Sequence, residues 1–199
     1  MCQYVHTIST HTEFIILMHP KEFRKTKNGT GHLTNLSLPN SKVVIGIDFS
    51  NNALINKAIK DPNKNCFVLY PHISAIELNK HSIQTANKTN VIFIIDSTWA
   101  CSKKMIRESS NLQKLPKISF THTQNSNFHI KTQPAHYALS TIESTLCILK
   151  HLHSHNIETI KEESFEKFLL PFEKMVDYQL NCALETKGEK IRYKNRSDL

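Results

Sequence analysis

Four short, unbroken apolar runs punctuate this chain, at 14–18, 42–47, 66–70 and 91–95. Each is continuous rather than alternating, which predicts strands covered on both faces. The stretches between them, near 51–60, 73–80 and 99–110, have helical length or spacing. Strand–helix repetition of this kind predicts a parallel α/β sheet. Further on, 117–120 and 127–131 read as short strands at the sheet's end. A helix is expected over 139–153, with Ser140 or Thr141 near its start and Glu143 within its first turn. A longer helical stretch over 162–184 is interrupted at Pro171, and the charged last dozen residues are expected to fray. The pattern therefore predicts an α/β core over 1–155 and a helical extension over 156–199 packed upon it.

Composition narrows the function. The 199 residues carry a formal net charge of +8, and 39% are hydrophobic. Such a chain is long enough to bury a core, and its positive excess draws polyanions such as RNA. Five cysteines, Cys2, Cys66, Cys101, Cys147 and Cys182, form no C-x-x-C pair. That spacing suggests neither a zinc cage nor a disulfide framework, and it predicts a reduced, cytoplasmic protein. No run approaches the ~20 apolar residues of a membrane span, so no membrane partner is expected. The N-terminal residues are polar and lack the apolar stretch of a signal peptide.

Missing motifs exclude several chemistries. There are only four glycines, Gly29, Gly31, Gly46 and Gly188. None forms the G-x-G-x-x-G of a dinucleotide site, a P-loop or a G-x-S-x-G nucleophile elbow. Twelve histidines include the alternating His151, His153 and His155. On a helix those three would scatter, and no metal site is predicted.

Three clusters are left to carry chemistry. The strongest apolar run leads directly into Asp96-Ser97-Thr98-Trp99, followed by a helix bearing Lys103, Lys104 and Arg107. Ligands in parallel α/β sheets sit at the carboxyl ends of strands. There Asp96 could accept a proton or anchor a donor group, and Trp99 could stack on a base. Equally, Asp96 or Ser97 could cap the helix and Trp99 could lie in the core. In Leu139-Ser140-Thr141-Ile142-Glu143, a helix cap and a carboxylate-binding helix start are both readable. His19-Pro20-Lys21-Glu22, with Asn28-Gly29-Thr30-Gly31 after it, reads as a loop that wraps a ligand or as a surface turn.

These clusters, in this order, resemble the DTW-domain family of tRNA-uridine aminocarboxypropyltransferases. Asp96-Ser97-Thr98-Trp99 is similar to the family's name motif, and Leu69-Tyr70-Pro71 to its Leu-x-Pro segment. His19-Pro20-Lys21-Glu22 with Asn28-Gly29-Thr30-Gly31 resembles the upstream pattern, with one residue extra. Leu139-Ser140-Thr141-Ile142-Glu143 resembles the downstream Leu-Ser-Thr-x-Glu. The likeness spans roughly residues 13 to 155. Many members begin with a cysteine-rich zinc-binding segment, of which Cys2 is the only candidate remnant here. Lys131 stands where members tend to carry arginine, giving a point charge in place of a planar fork.

The resemblance implies a SPOUT-like, possibly knotted, α/β fold. It also implies transfer of the 3-amino-3-carboxypropyl group of S-adenosylmethionine to N3 of a uridine in tRNA, without a metal. On that reading Asp96 is the catalytic base. Leu69, Pro71, Thr98, Trp99, Leu139, Ser140, Thr141 and Glu143 hold the donor. Glu22, Asn28, Thr30, Lys103, Lys104, Arg107 and Lys131 meet the RNA. A SPOUT-like RNA methyltransferase and a non-catalytic RNA-binding protein are the rival expectations. Oligomeric state is not readable.

Overall fold

The structure, a computed structural model, describes residues 2–25, 29–83, 87–122 and 139–185. After a single 3-10 turn at Cys2–Tyr4, the chain runs β1 (Glu13–Met18), α1 (Pro20–Lys25), α2 (Thr30–Ser37), β2 (Ser41–Ile45), α3 (Ala53–Lys60), β3 (Lys64–Leu69) and β4 (Ile76–Glu77). It continues with β5 (Thr89–Asp96), α4 (Trp99–Glu108), α5 (Ser110–Gln113), β6 (Lys117–Ser119), α6 (Thr141–Ser154), α7 (Glu162–Phe168) and α8 (Leu170–Glu185). The strands form one six-stranded sheet in the order β2-β1-β5-β3-β6-β4, and every pairing is parallel. The expected parallel α/β architecture is therefore present.

Side-chain alternation divides the apolar residues between two faces. Phe14, Phe67, Ile92, Ile94 and Ile118 pack with Leu33 of α2, Ile142 and Leu149 of α6, and Phe165, Phe168 and Phe172 of α7 and α8. Ile15, Leu17, Val68, Val91 and Phe93 pack on the other side with Ile55 of α3, Met105 of α4 and Leu112 of α5. The phenylalanines of α7 and α8 thus join the same core as the central strands. Phe168 and Phe172 are wholly buried, and truncating such a side chain to alanine typically costs about 3–5 kcal/mol.

The tertiary structure corrects several local expectations. The 73–80 segment is not a helix. Pro71 ends β3, Ile73 is fully exposed, and β4 then pairs with β6. Buried Leu78 next to partly exposed Glu77 marks strand-like alternation in a stretch too short to have shown it. The run at 42–47 is not covered on both faces. β2 is an edge strand and stops at Ile45, whose side chain is exposed. Gly46 then donates its N–H to Met18 O at 3.1 Å, and a Cβ there would meet the Phe49 ring at 2.8 Å. The run at 66–70 starts two residues earlier and ends at Leu69, and the run at 91–95 extends to Thr89–Asp96.

The strand at 117–120 lies inside the sheet, between β3 and β4, rather than at its end. His19-Pro20-Lys21-Glu22 is not a loop, because Pro20 opens α1, where its fixed φ and missing N–H suit the first helical turn. The break before α8 falls at Leu169, with Pro171 inside the first turn, where proline is tolerated. The expected strand at 127–131 lies outside the described residues.

Candidate active site

The sheet order itself locates a crevice. From β1 the chain leaves towards β2, and from its neighbour β5 it leaves the opposite way towards β6. The two connections lie on opposite faces, α2 with the first cluster and α4 with the second. A parallel sheet opens at such a switch point, beyond the carboxyl ends of the two strands. Met18 and Asp96 are register partners there. Asp96 shares the sheet face of Ile92 and Ile94 by the two-residue period, so it points towards α2 and α6.

Those two helices meet the carboxylate. Asp96 is only 8% exposed, and Thr141 Oγ1, in the first turn of α6, donates a hydrogen bond of 2.5 Å to its Oδ1. On the other side Gly31 of α2 lies so close that a Cβ would collide with Oδ2 and Cγ of Asp96 and with the methyl end of Met18. The backbone of Asp96 is held too, since His19 N–H donates to its carbonyl at 3.0 Å. Thr34 and Thr145 return their hydroxyls to the carbonyls of Thr30 and Thr141 at 2.8 and 2.7 Å. These local bonds satisfy polar side chains in the packed α2–α6 interface.

The start of α6 has the shape of a capping box. Glu143 accepts the Ser140 N–H at 2.8 Å. The Ser140 hydroxyl completes the box by facing the Glu143 N–H; it is 93% buried and makes no hydrogen bond of normal geometry there. A buried hydroxyl without such a bond is uncommon. It lies beside the first N–H groups of a helix, which have no intrahelical acceptor.

The tripeptide after Asp96 does less capping than expected of its first members. Thr98 is the N-cap of α4 and accepts the Cys101 N–H at 3.4 Å, while the Ser97 hydroxyl donates to Thr98 O at 3.1 Å. Trp99 is 38% exposed and is therefore not a core residue. Lys103 and Lys104 are exposed on α4, and Arg107 forms a surface pair with Glu108 at 3.0 Å. Leu69 is partly buried on the same sheet face as Asp96, opposite Ile94, and Pro71 is exposed just beyond it. Leu139 is partly buried ahead of the cap, Glu22 lies on α1, and Thr30 is buried one residue before Gly31. Asn28 and Lys131 lie outside the described residues.

His19 and Gly31 were visible only as parts of motifs. Their direct roles at Asp96 depend on contacts between distant segments, and the one sequence signal was the scarcity of glycine. His19 Nδ1 accepts the Lys21 N–H at 3.1 Å, which leaves its proton on Nε2. Burial, then the positive charge of Lys21, then that of Lys104 hold its pKa below 6.5, against the opposing pull of Glu22. The unfolded chain binds a proton there near pH 6.5, and the folded chain only at lower pH. The stability contribution is thus complete above that value and is lost as pH falls. His151 follows the same direction, through burial and then His155. The urea midpoint should fall between about pH 7.5 and about pH 5.5, and His19→Asn, which keeps an acceptor for Lys21, should flatten part of that slope.

The three alternating histidines diverge. His151 lies tilted against Phe120 with ring centroids 6.1 Å apart, His153 meets the edge of Phe165, and His155 Nε2 pairs with Leu78 O at 2.8 Å. Among the described residues no three His, Cys, Asp or Glu side chains gather as metal ligands, and no helix is long and apolar enough to cross a membrane.

Residues 1–180 match the family model described as the DTW domain. The chain is similar to the tRNA-uridine aminocarboxypropyltransferase 2 of Macaca fascicularis, 26% identical over 194 residues, covering 96% of this chain and 63% of that protein. It is 27% identical over 195 residues to the Mus musculus protein of the same name, with the same coverage. With the Drosophila melanogaster one it shares 27% over 190 residues, 92% of this chain and 71% of that protein. The chain therefore spans about two thirds of the length of these relatives. No solved structure matches it.

Proposed function

Because the chain belongs to the DTW domain family, we propose that it transfers the 3-amino-3-carboxypropyl group of S-adenosylmethionine to N3 of a uridine in tRNA. The observation that carries this reading is the Asp96 carboxylate buried at the β1/β5 crevice and joined to Thr141 at the start of α6. Two motifs 45 positions apart thereby become one site.

The residues present fit the donor. Its carboxylate suits the first N–H groups of α6, which lack an intrahelical acceptor, and the proton of the buried Ser140 hydroxyl, since a helix N-terminus favours an anion. Leu69, on the sheet face of Asp96, is assigned to the donor together with Pro71, Leu139, Thr98 and Trp99, while Glu143 fixes the α6 turn. Bound there, the donor supplies a sulfonium carbon open to attack.

The work left to the protein is orientation and proton removal. Asp96 takes the proton of uracil N3. The freed electron pair forms the N3–carbon bond to the aminocarboxypropyl methylene, and the carbon–sulfur pair leaves with methylthioadenosine. Holding N3 about 3–3.5 Å from that methylene rather than from the methyl group selects the transferred group. Trp99, half out of the fold, is suited to stack on the target base. We further read the fold as SPOUT-like, which the all-parallel sheet with its switch point between β1 and β5 supports. Cys66, Cys101 and Cys147 are free thiols, in keeping with the proposed cytoplasmic location.

Incubation with tRNA and S-adenosylmethionine, followed by nucleoside mass spectrometry, tests the reaction. A uridine heavier by an aminocarboxypropyl group is expected. A methyl gain would install the methyltransferase in its place, and donor-independent RNA binding with no product would leave only an RNA-binding protein. Lys103, Lys104 and Arg107 on α4, with Glu22 and Thr30 on α1 and α2, form the proposed RNA side of the crevice; Asn28 and Lys131 are assigned to the RNA by their motifs alone. Lys103→Ala and Lys104→Ala should each weaken tRNA affinity regardless of sequence and reduce the salt slope by about one. Filter binding over a salt series checks this.

A further inference from the structure

We propose that Thr141 is a positioning residue for Asp96, rather than only a part of the donor cradle. The proposal rests on the reading of Asp96 as the base. The hydroxyl is spent on the carboxylate: it donates to Oδ1 at 2.5 Å, as short as hydroxyl–carboxylate bonds run. Both partners are at least nine-tenths buried. Oδ2 lies against Gly31, where no side chain stands. The carboxylate is therefore gripped from α6 on one oxygen and bounded by the α2 backbone at the other, and its backbone is pinned by His19. A carboxylate on a short side chain has two soft torsions, and this arrangement leaves one setting.

The same contact explains why a second hydroxyl follows that of the serine. Ser140 and Thr141 are adjacent hydroxyls with different tasks. Ser140 Oγ faces the Glu143 N–H without a hydrogen bond of normal geometry, and its proton is left for the donor's carboxylate. Thr141 Oγ1 has Asp96, and its backbone is locked by the Thr145 hydroxyl on its carbonyl. Helix α6 thus couples donor binding to the orientation of the base, since one turn of helix carries both groups. Loss of the Thr141 hydroxyl should lower turnover and leave donor capture intact.

Five proteins test this, with Thr141→Val and Thr141→Ala as alternatives in case one folds poorly: wild type, Thr141→Ser, Thr141→Val (or Ala), Asp96→Asn, and the Val change placed in the Asp96→Asn background. Initial rates against S-adenosylmethionine give kcat and KM separately, and circular dichroism melting reports folding. Removing the hydroxyl should lower kcat by about 10- to 100-fold, the scale of a misoriented reacting group, with KM for the donor within about twofold. Thr141→Ser should restore kcat to within about threefold. In the Asp96→Asn background the Val change should cost less than about twofold, because residues acting through one another are not additive.

Independent, multiplying losses would overturn the proposal. So would a raised KM with unchanged kcat, which would make Thr141 a donor ligand, or a Ser variant as poor as Val. Wild-type protein that forms no aminocarboxypropyl product defeats the function reading itself. Product formation by wild type with Thr141→Val equally fast defeats the positioning role alone.

Discussion

Gly31→Ala is expected to reduce aminocarboxypropyl transfer by about a hundredfold or more while the protein stays folded, because misplacing a reacting group by about 1 Å has an effect of that size. A methyl group at this position enters the space of the Asp96 carboxylate and of the Met18 side-chain end. Met18 is flexible and can turn aside. Asp96 cannot do so without giving up its bond to Thr141. Helix α2 has the other option of backing away, but it packs against α6 and the β1 face through buried Leu33 and Thr34. Overpacking of this kind usually costs about 1–3 kcal/mol of stability, less than most domains possess. Activity should therefore fall much further than the melting temperature. Mass spectrometry of product together with thermal melting checks both. A variant that transfers at near wild-type rate would mean that the crevice between α2 and β5 is not where the base works.

Asp96→Asn should lower kcat by about 10²- to 10⁴-fold, the usual contribution of a positioned general base. The amide keeps the size of the carboxylate and still accepts from Thr141 through its oxygen, so the α6 contact survives. Donor binding, which draws on Ser140 and the α6 N-terminus, should change by no more than about twofold, since asparagine preserves the packing. Calorimetric titration with S-adenosylmethionine beside single-turnover rates separates the two quantities. If transfer persists while donor binding collapses, Asp96 anchors the donor's ammonium instead of taking the N3 proton.

The same contact shows where sequence reading stopped. Asp96, Thr141 and Gly31 each stood in a recognisable motif, and Thr98 is the residue type that caps helices. Neither period nor propensity says that Gly31 and Thr141 approach one carboxylate from two sides. His19 likewise reads as a polar residue before a proline, yet it is buried and pins the Asp96 carbonyl. At 73–80 the sequence carries a helical length but too few residues to show which period rules. Pairing of β4 with β6, 42 positions away, decided the outcome. The largely apolar run at 42–47 suggested a covered strand, but a strand's place in the sheet depends on its neighbours, and β2 was left at the edge.

What the amino-acid order determined by itself is local: which runs are strands, where α3, α4 and α6 begin, and which residue types are chemically able. Those follow from side-chain size, branching and hydrogen-bonding groups within a few positions of each other. The tertiary structure decided the strand order and with it the crevice between β1 and β5. It also decided that one buried carboxylate is gripped by α6 and faced by the bare backbone of α2. Such contacts join segments 45 and 65 positions apart, and their geometry is set by how two covered sheet faces pack, a property that no single stretch of chain contains.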